Sequence, residues 1–405
     1  MTEIILSGLA YGGDAFGRDA DGKMIFVPFA LPGERVKVEI VEAHQRWARG
    51  QLIEVIEASS DRVDPRCRHF TDCGGCHYQH MPYTVQLQAK AEIVQSQLER
   101  IGGLKDPPIV KVVPSPTAWN TRNHLQFNLT SEGHLGFMAA GSHRIVPIEE
   151  CHLPEPVLSD LWPRLDVDRI PGLDRIGLRS GAMGTCMIML EGTGAPAMEV
   201  TIDLPASVVW LAPDGLLVLA GERSLDFEIS GCTFVVSADS FFQVHTALAE
   251  ELVRLVTREL NVQSGETILD LYAGVGLFSA FLAHEGARII AVEESSRACS
   301  DFEVNLEDFD DIELYEAPVE AALPAIHGRP DAVVIDPPRA GLSQVALQHI
   351  IDLSPPRLVY VSCDPATLAR DGSRLAEAGY QFVRCTPIDL FPQTFHIETV
   401  SLWQR

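Results

Sequence analysis

Apolar and polar positions follow three successive spacings along the chain. Residues 3–57 alternate in short runs, as in Glu3-Ile4-Ile5-Leu6, Met24-Ile25-Phe26-Val27 and the stretches 35–41 and 50–56. Gly12-Gly13-Asp14, Asp21-Gly22 and Pro32-Gly33 punctuate them, a pattern that predicts a small antiparallel barrel. Residues 59–230 mix strand and loop patterns with many prolines, interrupted by one helical stretch over 83–102. There Val85, Leu87, Ile93, Val94, Leu98 and Ile101 form an apolar face that ends at Gly102-Gly103. From about residue 233 strands alternate with helices, the signature of a mostly parallel α/β sheet. The expected domains are therefore 1–58, 59–232 and 233–405.

The 405 residues are enough for two or three domains with full cores. A hydrophobic content of 46% with 21% charged residues is that of an ordinary water-soluble chain. No apolar run is long enough to span a bilayer, and Met1-Thr2-Glu3-Ile4-Ile5-Leu6 lacks a signal-like start. A cytoplasmic protein is expected, so its nine cysteines should be core thiols, metal ligands or catalysts rather than disulfides. A net charge of −25 argues against broad nucleic-acid affinity and leaves room for a local basic groove.

Three of those cysteines share one loop, Cys67-x5-Cys73-Gly74-Gly75-Cys76, with His69, His77 and His80 beside them, and Cys151 follows later. Glycines let such a loop wrap closely around a ligand, and four thiols suit either tetrahedral zinc or a [4Fe–4S] cluster. Cys186, Cys232, Cys299 and Cys385 stand in apolar patterns and are expected in the core.

A second site begins at Asp270-Leu271-Tyr272-Ala273-Gly274-Val275-Gly276, a strand that runs into a glycine turn. The next strand pattern ends at Glu293, where an acid can hold two ribose hydroxyls. NAD is a rival ligand. Asp270 before the turn, and the missing third glycine, favour S-adenosylmethionine. Glu293 could instead be a helix N-terminal acid.

The third site is Ser362-Cys363-Asp364, placed just past the apolar run Leu358-Val359-Tyr360-Val361. In an open α/β sheet, ligands sit at the carboxyl ends of the strands. A nucleophilic cysteine there, with Glu398 downstream as a base, fits methylation of an unreactive pyrimidine carbon. A thiolate adding to C6 of uracil makes C5 nucleophilic, and a base then removes the C5 proton. Asp336 is placed to bridge cofactor and base edge, and His396 supports. The competing readings are a core thiol at 363 and a water-facing edge-strand acid at 398.

Taken together these stretches resemble the RNA uracil-C5 methyltransferase family, which makes 5-methyluridine. The stretch Ala30-Leu31-Pro32-Gly33-Glu34-Arg35-Val36 resembles a TRAM domain, an OB-like barrel of RNA-modifying enzymes. Asp336-Pro337-Pro338-Arg339, the cysteine motif and Phe391-Pro392-Gln393-Thr394-Phe395-His396-Ile397-Glu398 complete the likeness. The resemblance implies a Rossmann-like class I methyltransferase domain behind an OB-like barrel and a central α+β iron–sulfur domain. It implies Cys363 as nucleophile and Glu398 as base. Gln243, Tyr272, Gly274, Glu293 and Asp336 would contact S-adenosylmethionine. Cys67, Cys73, Cys76 and Cys151 would hold a [4Fe–4S] cluster, and the 83–102 helix would dock on the last domain. The implied partner is RNA with a flipped uridine, in 23S rRNA rather than tRNA, handled by a monomer. Arg122, Asn123, His124 and Phe127 are either walls of that RNA site or an ordinary strand.

Three positions depart from the family pattern. Asp364 and His245 stand where asparagine is usual, and Leu277 occupies an often polar position. A carboxylate at 364 would raise the thiol pKa unless Arg370 or Arg339 offsets it. The alternative functions are a cytosine-C5 RNA methyltransferase and an RNA-binding, redox-sensing protein whose catalytic domain has decayed.

Overall fold

The computed structural model describes residues 1–165, 170–194 and 205–405. Its first five strands are β1 (Thr2–Leu9), β2 (Ala15–Arg18), β3 (Met24–Val27), β4 (Arg35–Ala43) and β5 (Trp47–Glu57). They close into a barrel in the order β1-β2-β3-β5-β4, with β3 and β5 parallel. Alternation in each strand places Ile4, Leu6, Ile25, Val27, Val36 and Val38 inside. The sequence pattern missed β2, whose four residues include Gly17 and offer little alternation.

The cysteine loop follows, and then helix α1 (Tyr83–Arg100). Its buried face is Gln86, Ala89, Lys90, Ile93, Val94 and Leu98, which differs from the expected apolar stripe. Ile101 is 47% exposed and Leu87 only half-buried. The difference has a physical cause: the first turns of α1 pack on a loop of polar backbone near the C-terminus, which needs Gln86 and Lys90 as hydrogen-bond partners. The later turns bury Ile93, Val94 and Leu98 in the same core cluster as Leu368, Ala369 and Trp403.

A mixed sheet forms the middle of the chain. Its strands are β6 (His124–Leu129), β7 (Leu135–Met138), β8 (Ile145–Pro147), β9 (Leu173–Ser180), β10 (Cys186–Gly192), β11 (Ala206–Ala212) and β12 (Gly215–Ala220). They are ordered β12-β11-β10-β9-β6-β7-β8. Helix α2 (Pro156–Leu161) covers one face, over a core around Phe127, Trp162, Ile176 and Leu178. The hairpin β13 (Ser224–Ile229) and β14 (Cys232–Ser237) straddles the expected boundary at 232/233. Its Leu225, Phe227, Phe234 and Val236 join the core of the C-terminal body.

That body starts with α3 (Thr246–Leu260), then β15 (Thr267–Leu271), α4 (Leu277–His284), β16 (Arg288–Glu293), α5 (Ser296–Asn305) and β17 (Ile312–Glu316). It continues with α6 (Val319–Ala322), β18 (Ala332–Ile335), α7 (Gln344–Leu353), β19 (Arg357–Ser362), α8 (Pro365–Glu377), β20 (Gln381–Ile388) and β21 (Glu398–Gln404). The sheet order is β17-β16-β15-β18-β19-β21-β20. Five strands are parallel, and β21 inserts antiparallel between β19 and β20. Order reverses between β15 and β18, and that switch point opens a crevice at the strands' carboxyl ends. No helix of the described residues is long and apolar enough to cross a membrane.

Two sequence expectations fail on burial. Cys232 is half-buried rather than core, with its thiol 3.6 Å from His284 Nε2 near the surface. Cys186, Cys299 and Cys385 are buried. Phe127 is fully buried and stacked on Phe137 at 4.8 Å, so it cannot form a wall of an open RNA site.

Candidate active site

The crevice holds a cavity of about 1160 Å³ lined by Gln243, Tyr272, Gly274, Glu293, Asp336, Cys363 and Glu398. Every cofactor and catalytic residue drawn from the sequence therefore faces one space. Such a volume lies at the upper end for a single small ligand and leaves room for a base beside a nucleoside cofactor.

The cofactor half is built on the β15–α4 turn. Tyr272 has φ 64°, a left-handed conformation strained for a tyrosine, and Gly274 and Gly276 follow at φ 57° and 89°. A Cβ on Gly276 would lie 2.3 Å from Leu306, so glycine is required there by packing. A Cβ on Gly274 would meet no protein atom within 4 Å and would stand in the cavity instead. That open cradle is what a ligand lying against backbone needs. Glu293 ends β16; its Oε2 accepts from Gly274 N at 2.9 Å and its Oε1 from Ser295 N at 2.8 Å. The carboxylate thus braces the turn while facing the cavity. The N-cap of α5 is Ser295, not Glu293. Asp270 is fully buried, accepts from Ser279 Oγ at 2.6 Å, and its Oδ1 has no partner. Burial pushes its carboxyl up to about 7.

The reactive half is set by strand register. In the antiparallel β19–β21 ladder Ser362 pairs with Thr399. One step further along the same register stand Cys363 and Glu398. Glu398 is 4% exposed and lies in an interior strand, so it is no edge-strand acid facing water. Burial, and then Asp336, push its carboxyl well above the ordinary range, while Arg339 opposes the shift. Burial likewise raises Asp336, with Asp270 adding to it.

Cys363 is half-buried, with its thiol pushed up to about 12. Burial is the largest cause; Glu398 and Asp336 add to it, Arg339 opposes it, and Asp364 contributes least of these. The concern about Asp364 is thus largely answered by its hydrogen bonds. Its Oδ1 caps α8, accepting from Ala366 N at 2.9 Å and Thr367 N at 3.0 Å, and its Oδ2 accepts from Tyr11 of the barrel at 2.9 Å. His245, the other departure, caps α3 through Nδ1 and meets Ser115 Oγ at 2.7 Å through Nε2. An imidazole replaces a side-chain amide as cap there. Leu277 opens α4 and lines the cavity with its apolar side chain.

Arg339 is more important than the sequence indicated. Its guanidinium lies 2.8 Å from His396 Nδ1, and it is the cation that opposes the upward shifts of both Cys363 and Glu398. Burial, with Arg339 next, holds His396 down to about 3, so the ring stays neutral and accepts. Arg370 does not serve the thiol. It donates to Ala340 O and Leu342 O and braces the turn after Asp336. Phe241, missed in the sequence, is 70% exposed at the mouth of the cavity, next to Gln243. Its sequence signal was its place two residues before Gln243, where nothing distinguishes it from the buried Phe242 beside it. Asn123 is buried, donating to Gln243 O at 3.0 Å, whereas Arg122 and His124 remain half-buried.

Cys67, Cys73, Cys76 and Cys151 all line a separate cavity of about 620 Å³, with His69, His77 and Arg122. Loss of solvent raises each thiol, Cys76 to about 12 and Cys151 to about 11. His80 turns away, its ring tilted against Phe70 at 5.5 Å and its Nε2 3.4 Å from Ala30 O of the barrel. Among the described residues no three His, Cys, Asp or Glu side chains converge on a single metal ion. Neither a tetrahedral zinc site nor a cluster-binding group is therefore assembled among the described residues. The expected iron–sulfur domain accordingly has its four thiols around one cavity and no assembled metal-binding group.

A crevice at the switch point, a glycine cradle and an acid ending the second strand define a Rossmann-type nucleotide-cofactor enzyme. Comparison with known proteins gives the class. Residues 2–53 match the TRAM domain and residues 325–405 match the tRNA (uracil-5-)-methyltransferase family. An RNA methyltransferase of Streptomyces avermitilis, itself uncharacterised, is 32% identical over 99% of this chain and 97% of its own. One of Gloeobacter violaceus is 32% identical over 99% of this chain and 96% of its own. The Pyrococcus abyssi tRNA (uracil-54, C5)-methyltransferase, solved with S-adenosyl-L-homocysteine, superposes with TM-score 0.76 at 25% identity, over 99% of this chain and all of that one. The chain belongs to the RNA methyltransferases, with a TRAM domain at residues 2–53 and a match to the uracil-5-methyltransferase family over residues 325–405.

Proposed function

We propose that the protein methylates C5 of a uridine in folded RNA through a transient bond between Cys363 and C6 of the base. The placement of Glu398 opposite the cysteine, one step beyond the Ser362–Thr399 pair, in a cavity shared with the glycine cradle, carries this reading. Gln243, Tyr272, Gly274, Glu293 and Asp336 hold S-adenosylmethionine, which supplies an electrophilic methyl group on a sulfonium.

The Cys363 sulfur adds to C6, and the displaced π electrons make C5 an enolate carbon that takes the methyl group as the methyl–sulfonium bond breaks, leaving the thioether S-adenosylhomocysteine. Glu398 then accepts the C5 proton, the C5–C6 double bond re-forms, and the C6–sulfur bond breaks to release Cys363. Arg339 favours the thiolate at the first step and at the last. Because a thiol cannot reach C6 of a stacked ring, the uridine must be flipped into the cavity, with Phe241 at its mouth.

Cys67, Cys73, Cys76 and Cys151 hold a [4Fe–4S] cluster in this reading. Four desolvated thiols around one cavity support it, with more room than a single ion needs. The barrel gives the RNA a second foothold. The target is ribosomal or transfer RNA, and nucleoside mass spectrometry on the two fractions from a deletion strain separates them. 5-Methyluridine should disappear from one fraction and return with the wild-type gene but not with Cys363→Ala. Unchanged 5-methyluridine in both, with a missing 5-methylcytidine, would establish the cytosine enzyme instead.

A further inference from the structure

The loop 389–397 carries His396 and leads directly into Glu398, and it is buried and tied down far more than a surface connection requires. Asp389 and Leu390 have no exposure, Gln393 2% and Thr394 1%. Gln393 also sits at φ 68°, a left-handed conformation that a non-glycine residue holds only where its surroundings impose it.

Every polar group of Gln393 is engaged. Its N–H donates to Gln86 Oε1 at 3.0 Å, and its Oε1 accepts from Gln86 Nε2 at 3.0 Å. Its Nε2 donates to Ala118 O at 3.3 Å. Its carbonyl accepts from His77 N at 2.8 Å and Tyr78 N at 3.0 Å, the two residues that follow Cys76. Gln86 in turn donates to Tyr78 O and Met81 O, both at 3.1 Å. The His77 ring stands edge-on to Phe395 at 4.5 Å, and Phe395 touches His396 at 4.3 Å. Two amides placed reciprocally, between three segments distant in sequence, make a stiff joint with a unique geometry.

We infer that Gln86 and Gln393 are positioning residues for Glu398, clasping the loop that carries the base to the backbone of the cysteine loop. The position of the cysteine loop thereby sets the position of the base. This rests on Glu398 being the base. Loosening the clasp leaves nucleophile and cofactor site intact and slows removal of the C5 proton.

The test uses the full-length protein and total RNA from a strain lacking its gene, grown on uracil carrying hydrogen or deuterium at C5. Gln86→Ala removes the clasp. Gln86→Glu keeps an acceptor for Gln393 N–H and loses the donor. In both, kcat should fall, by about 10- to 100-fold in Gln86→Ala, with the KM for RNA unchanged. Deuterium at C5 should slow 5-methyluridine formation more than it does in the wild type, and the methylated Cys363–RNA adduct should accumulate. Wild-type rates, or slower rates with a wild-type isotope effect, would overturn the inference. If Gln86→Ala does not fold, Gln86→Glu decides by the same readout, with faster hydrogen exchange over 389–397 expected and unchanged exchange contradicting. Glu398→Gln runs alongside. If it accumulates no adduct, the assignment of the base has failed; if it does while the Gln86 variants behave as wild type, only the clasp has failed.

Discussion

Thr399 Oγ1 donates to the carbonyl of Ser362 at 3.0 Å, locking the register pair that sets Glu398 opposite Cys363. The antiparallel strand β21, inserted beside the parallel β19, brings together Cys363 and Glu398, the proposed nucleophile and base, which are separated by a helix, a strand and a loop. Because a one-residue slip would turn every side chain of β21 to the other face, register and chemistry are fixed together.

The Tyr11–Asp364 hydrogen bond ties the barrel to the residue next to the nucleophile. Tyr11→Phe should lower stability by about 1 kcal/mol, the net worth of one such bond, without abolishing methylation. Asp364→Asn keeps the cap on α8 and should leave activity close to wild type. Asp364→Ala loses the cap, costing about 1 kcal/mol. Chemical denaturation and initial rates read both; a large rate loss in Asp364→Asn would show that the charge at 364 matters more than the geometry implies.

Binding of the methyl donor should depend on pH in a way that binding of its product does not. Burial, with Asp270 adding to it, raises the Asp336 carboxyl well above its ordinary range, so it takes up a proton at far higher pH than an exposed aspartate does. A sulfonium favours the ionised form, so affinity for S-adenosylmethionine should rise as pH increases from about 6 to 8. The neutral thioether S-adenosylhomocysteine should show a smaller change. Calorimetry across that range decides, and identical slopes for the two ligands would contradict the placement of the acids around the methyl donor.

The two glycines of the cofactor turn should fail differently. Gly276→Ala meets Leu306 at 2.3 Å in a left-handed conformation and should destabilise the fold severely. Gly274→Ala meets only the cavity and should cost about 1 kcal/mol of stability for its positive φ while sharply weakening S-adenosylmethionine binding. Thermal melting with and without ligand separates the two effects.

Lys90 and Asp389 form an ion pair at 2.5 Å with neither side chain exposed. Lys90→Met strands a buried carboxylate and should cost about 3 to 5 kcal/mol, much of it recovered by Lys90→Met with Asp389→Leu. Urea unfolding of the two variants checks this.

Much of the site was legible because its parts are local. Gln243, the Asp270–Gly276 turn, Glu293, Asp336, Cys363 and Glu398 each lie in a short motif whose strand or turn declares itself, and all line one cavity. What could not be read came from distant packing. Gln86 and Lys90 share a helix face with Val94 and Leu98 at four-residue spacing, but their polar side chains read as solvent-facing; they are buried because a loop about 300 residues later needs partners. Phe127 alternates with polar Gln126 and Asn128, a pattern that turns it inward with Leu125, and the sequence does not show what covers it; the structure puts Phe137 and Trp162 over it. Arg339 took its meaning from His396 and Cys363, two other motifs.

Mass spectrometry of the denatured protein, after reaction with 5-fluorouridine-containing RNA and S-adenosylmethionine, decides whether Cys363 bonds to the base. Fluorine at C5 cannot leave as a proton, so a stable product in which Cys363 carries a methylated fluorouridine is expected, absent in Cys363→Ala. A methylated RNA product formed at the wild-type rate by Cys363→Ala, or an adduct mapped to another residue, would contradict it.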